Sequence, residues 1–246
     1  MQTAVVEEAT PSTEPPTTRR EVASPPDAMG LFDLVLRGQE QLSSLLRHES
    51  LLPSVTQRLL LLSLLGLAVH GLVVGLAAQA LGRGALTGLG LQQGHPALWM
   101  PIAFVGAFVG ALAVCLPSFY FYTQLSGLDA SFRLVTAQAL RGQATTSVFL
   151  LGLSPFYAAV VLSAAVGILD DSGVVLAVGL LLPFAVGLWG VRVLHRGFRD
   201  LASWLPVTHA RRGNFLGRMI LCWAAIYTAI APVALFRLAC ALGPHI

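Results

Sequence analysis

Residues 101–161 read PIAFVGAFVGALAVCLPSFYFYTQLSG, LDASFRLVTAQALRGQ and ATTSVFLLGLSPFYAAVV, and they decide the fold class. The pattern is an apolar helix, a short polar return holding Arg133 and Arg141, and a second apolar helix that continues to residue 169. Each apolar run exceeds the ~20 residues needed to cross a hydrocarbon core. Each also has a proline deep inside it, Pro117 in the first and Pro155 in the second. Lipid offers no water to backbone groups, so runs of this kind are read as membrane-spanning helices.

Working outward, the same pattern recurs on both sides. Spans are expected at about 59–81, 97–123, 144–169, 174–194 and 216–242, with Pro183 and Pro232 inside the last two. A proline frees an upstream carbonyl and kinks a helix, which lipid tolerates only where a neighbour satisfies the freed group. Upstream, residues 1–28 are rich in Pro, Thr and Glu and cannot bury enough apolar surface to offset their ordering entropy, so a disordered tail is expected. Residues 29–54 place Leu31, Leu34, Val35, Leu42, Leu45 and Leu46 largely along one helical stripe, with Pro53 closing the segment. That periodicity predicts an amphipathic helix lying on the membrane surface or on a partner. The expected fold is thus all-α: an integral membrane helical bundle of about five transmembrane helices with kinking prolines, over 55–246, preceded by an interfacial amphipathic helix.

Composition agrees. The chain of 246 residues is 55% hydrophobic and only 11% charged, with a mean hydropathy of +0.74, whereas soluble domains are about 25% charged. All 15 basic residues are arginine, a usage that suggests a GC-rich bacterial genome. A net charge of +3, dispersed along the chain, argues against nucleic acid as a partner. The three cysteines, Cys115, Cys222 and Cys240, lie in apolar runs without metal-ligand spacing and read as small packing residues. The N-terminus lacks the pattern of a secretory signal peptide, so the first span is expected to serve as its own insertion signal.

Arginines gather near alternate span ends: Arg47 and Arg58, then Arg133 and Arg141, then the run from Arg192 to Arg218. The other side has Arg83, Arg237 and the acidic pair Asp170 and Asp171. Since positive residues are retained inside, the N-terminus is expected in the cytoplasm and the C-terminus outside a bacterial cytoplasmic membrane.

Several residues are candidates for packing or chemistry. Gly106 and Gly110 form a GxxxG pair beside Ala103, Ala107 and Ala111, a small-residue surface that lets helix backbones approach. Such pairs serve packing within one chain more often than dimerisation. His70 lies mid-span, where an ionisable residue is a functional-site hypothesis by default. The alternative is a neutral histidine hydrogen-bonded to a hydroxyl or a proline-freed carbonyl. Ser154 precedes Pro155 and, with Thr145, Thr146 and Ser147, forms a polar patch. The aromatic run Phe119–Tyr122 fits an interfacial belt. The basic stretch from His195 to Arg218 could bind anionic headgroups or simply set topology. Asp170 and Asp171 read as turn and helix-start chemistry. GxSxG, HExxH and Walker-type loops are lacking, so no catalytic residue, cofactor or metal is assigned.

The stretch LPSFYFYTQLSGLDASFRLVTAQALRGQATTSVFLLGLSP resembles a type of uncharacterised bacterial polytopic membrane protein, with two proline-bearing spans around a short G-x-x-x-S-x-R-type return. The five-span layout and polar N-terminal region are also weakly similar to the Yip1-like superfamily. The resemblance implies a membrane-organising protein without known catalysis. Together these readings lead to a non-enzymatic scaffold or accessory subunit, with the lipid bilayer and another membrane protein, or a second copy, as partners. A small oligomeric transporter is the alternative, favoured by His70 and the four prolines and disfavoured by the shortage of mid-membrane charge.

Overall fold

The computed structural model describes residues 28–36, 39–46, 50–81, 94–204 and 213–242. The tail read over 1–28 lies outside them except for Ala28, as do Arg47, Arg83, Arg211 and Arg212. The described residues form seven helices and no strand: α1 (Ala28–Leu36), α2 (Gln39–Leu46), α3 (Leu52–Ala80), α4 (Pro96–Leu125), α5 (Phe132–Ala165), α6 (Ser172–Trp204) and α7 (Gly213–Leu242). Helices α3 to α7 are each long and apolar enough to cross a membrane. Large apolar side chains line their outer faces, among them Leu61, Leu65, Leu72 and Leu76 on α3. So much exposed apolar surface is untenable in water and is the normal exterior of a multi-pass membrane protein.

The helices outrun the spans read from hydropathy. α5 starts at Phe132 rather than near residue 144, because Ser131 caps it by accepting from the Leu134 amide at 3.3 Å. Its first three turns are not a polar return: Leu134, Val135, Gln138 and Arg141 are buried there. α6 likewise continues through the basic stretch to Trp204. Its start is capped by Asp171, whose Oδ1 accepts from the Val174 amide at 3.0 Å. Gly167, at φ +80°, ends α5, with the Ile168 amide donating back to the Ser163 carbonyl. Pro53 opens α3 instead of closing the preceding segment, since a first-turn proline forfeits no helical hydrogen bond.

α3 is the central strut. It packs along both α4 and α5; α6 is attached to α5 and α7 to α4, whereas α6 and α7 meet only briefly. The order around the bundle is therefore α6, α5, α3, α4, α7, a horseshoe whose mouth lies between α6 and α7. Glycines let α3 sit so close. A methyl on Gly66 would lie 2.6 Å from Ser147 Cβ, one on Gly71 would lie 2.8 Å from Pro101 Cα, and one on Gly75 would lie 2.5 Å from the Pro96 carbonyl. Ser147 Oγ uses the closeness to donate to the Ser63 carbonyl at 3.2 Å.

The N-terminal segment is two short helices, and they dock on the chain's own bundle. Val35, Leu42 and Leu46 are buried in the core at the arginine-rich end, with Phe119 and Phe198. Phe119 is therefore a core residue, while Phe121 and Tyr122 of the same aromatic run remain exposed. Arg141, 2% exposed, donates through Nη1 to Ser43 Oγ at 2.9 Å, and Ser43 reaches Asp200 Oδ2 at 3.5 Å. One buried cation thus links α2, α5 and α6.

Substituting alanine at Gly66 or Gly75 is expected to destabilise the purified protein by ~1–3 kcal/mol through overpacking. Gly110→Ala, where a methyl meets nothing within 4 Å, is expected to be neutral or slightly stabilising. Melting in detergent measures the contrast, and equal effects at all three positions would contradict the role given to α3.

Candidate functional site between α6 and α7

The mouth of the horseshoe is a crevice between α4, α5, α6 and α7 with a cavity volume of about 50 Å³. Its floor forms because Gly142 and Gly190 let α5 and α6 touch; a methyl on Gly142 would lie 3.1 Å from the Gly190 carbonyl. Its walls are aromatic and aliphatic, chiefly Phe108, Phe184, Leu112 and Trp223. Trp223 and Tyr227 stack at 5.6 Å, and Trp223 Nε1 donates to the Cys115 carbonyl at 3.2 Å, which fixes that wall. Gly187 also lines the space, and a methyl there would meet nothing within 4 Å.

One polar group of the crevice is incompletely satisfied. Tyr227 Oη is 3.0 Å from the Phe108 carbonyl and 3.1 Å from Gln143 Oε1, so one hydroxyl proton serves two acceptors. Gln143 is 7% exposed and its Nε2 has no hydrogen-bond partner. Turning the amide over would let Nε2 donate to Tyr227 and leave Oε1 free instead. In either orientation one atom of this buried amide is left unpaired, and a buried unpaired polar group costs ~1–3 kcal/mol.

The residues singled out by sequence lie elsewhere, apart from Pro183 and Thr146. His70 is fully buried, with Nε2 donating to the Gly179 carbonyl at 3.0 Å. Gly179 is four residues before Pro183, so this is the carbonyl that the proline leaves without its helical amide. The ring packs edge-on to Phe104 at 5.4 Å and beside Tyr157 at 6.2 Å. Pro183 is buried and lines the crevice, whereas Pro117, Pro155 and Pro232 are exposed on the outer surface. Ser154 Oγ donates to the Leu150 carbonyl in its own helix at 2.8 Å. Ala103, Ala107 and Ala111 are buried, while Gly106 and Gly110 turn outward, Gly106 beside Leu238 and Gly110 against open space.

Sequence reasoning did not find Gln143, Tyr227 or Gly187. Gln143 was assigned to the polar return, although its spacing of three from Thr146 puts both on one helical face. Gly187 and Gly190 share that spacing on α6. No protein-family model, curated protein or solved structure matches the chain.

His70→Leu is expected to cost ~1 kcal/mol or more by orphaning the Gly179 carbonyl. Pro183→Ala restores an amide that can reach that carbonyl, so the double variant should be more stable than the two separate effects predict. A thermal double-mutant cycle in detergent measures this, and strict additivity would remove the His70–Pro183 coupling.

Proposed function

We propose that this protein is a non-enzymatic scaffold or accessory subunit of a membrane assembly, holding a hydrophobic membrane component in the opening between α6 and α7. The observation that supports this reading is the sideways crevice itself, with its apolar walls. Its geometry suits a flat or elongated apolar occupant arriving from the bilayer, because binding sites of this kind combine hydrophobic walls with a few polar groups that fix orientation. Transport is less well supported. Among the described residues no charged side chain lines the crevice, and the centre of the bundle is filled by Leu67, Trp99, Phe104 and Leu150, all buried. The bias of arginines toward one end supports a bacterial cytoplasmic membrane orientation with the N-terminus inside.

Purification from native membranes in mild detergent, followed by mass spectrometry of proteins and lipids, tests the reading. Wild type is expected to retain a stoichiometric companion. Gly187→Leu should fill the crevice and release it at an unchanged melting temperature. Wild type recovered alone, or a variant that keeps the companion, would overturn the proposal. A reporter fused after Ile246 should behave as external, and cytoplasmic behaviour would reverse the orientation.

A further inference from the structure

The crevice does not end at its apolar walls. Leu188 and Val191 also line a second cleft between α6 and α7, and that cleft carries Arg192, His195, Arg199 and Arg218. The two spaces form one groove that is apolar at its inner end and cationic at its mouth. Arg192 stacks over Trp189 at 5.7 Å, and Arg199 Nη2 lies 3.4 Å from His195 Nε2. No ion pair to a carboxylate joins Arg192, Arg199 or Arg218 among the described residues. The nearby Asp200 is not in the cleft lining and reaches Ser43 of α2 instead.

Depth relates these charges to the bilayer. Arg192 follows the start of α6 by about 30 Å of helix at 1.5 Å per residue, which matches the thickness of a hydrocarbon core. If Ser172 sits at one surface, Arg192 reaches headgroup depth at the other. Leu188 lies one turn inside it. Gly190, and with it Gln143 across the Gly142 contact, falls between the two, where the glycerol esters of a lipid reside. Gly217 and Arg218 lie in the second turn of α7, which brings the start of that helix to the same mouth.

We propose that this groove binds one anionic phospholipid. The phosphate sits among Arg192, Arg199 and Arg218, and an acyl chain enters the crevice past Leu188 and Val191 toward Gly187. The inference rests on the reading of the crevice as a site for a membrane component and names that component. Charge complementarity selects the headgroup, since each arginine near a membrane surface contributes attraction to anionic lipid. Continuity with an apolar crevice selects a lipid over a free anion.

The test uses full-length protein in detergent, titrated with phosphatidylglycerol or phosphatidylcholine and read by native mass spectrometry. Wild type is expected to retain one phosphatidylglycerol in preference to phosphatidylcholine. Arg192→Gln should weaken phosphatidylglycerol by about 5-fold, and Arg192→Gln with Arg218→Gln by about 30-fold, with phosphatidylcholine unchanged. Both arginines are exposed, so melting temperatures should not move. Gly187→Leu should weaken both lipids alike, because it obstructs the chain rather than the headgroup. Millimolar inorganic phosphate should fail to displace the lipid. Equal retention of the two lipids, indifference to the arginine substitutions, or displacement by phosphate would each overturn the inference. Should Gly187→Leu still release a companion from native membranes while the lipids show no headgroup preference, the accessory reading survives and only the phospholipid assignment falls.

Discussion

Helices surrounded by lipid gain little from hiding apolar side chains, because lipid tails are as apolar as leucine. What holds this bundle is close backbone approach, and α3 provides most of it. Gly66, Gly71 and Gly75 bring it against Ser147, Pro101 and Pro96 on two different helices. Because α6 hangs on α5 and α7 on α4, the whole horseshoe is referred to that one helix. The mouth exists for the same reason: among the described residues no comparably close glycine contact draws α6 and α7 together.

Breaks in the backbone ladder set a second constraint. A proline within a span removes an amide, and the protein handles this in two ways. Pro117, Pro155 and Pro232 face outward, where a bend costs little packing. Pro183 faces inward, and the carbonyl it frees is taken by His70 from α3. An ionisable side chain at that depth thereby works as a hydrogen-bond donor between helices, joining α6 to the central strut that it otherwise touches little.

The helical membrane class and the five spans were legible because hydropathy is a property of long windows, and long apolar runs admit few alternatives. Helix ends were less legible, because arginines appear to a hydropathy window as breaks. Arg141 shows why: it is buried in α5, and its charge is met by groups from residues 43 and 200, which no local window joins. Gln143 was obscured by the same break. The outward turn of Gly106 and Gly110 was hidden for another reason, since a motif of two glycines specifies a smooth helix face without saying which way that face points.

The tie between Arg141, Ser43 and Asp200 has a consequence for how the chain is made. Ser43 is translated early, but its partners lie 98 and 157 residues further along the sequence. At ~5–20 residues per second, roughly 10–30 s separate the synthesis of α2 from that of the surface on which it docks. During that interval the stripe of Val35, Leu42 and Leu46 lacks the cover that α5 and α6 give it, and the adjacent bilayer surface is the apolar phase within reach. Helices α1 and α2 are thus among the last to settle, and this pair closes onto the bundle only after the fourth span has been inserted.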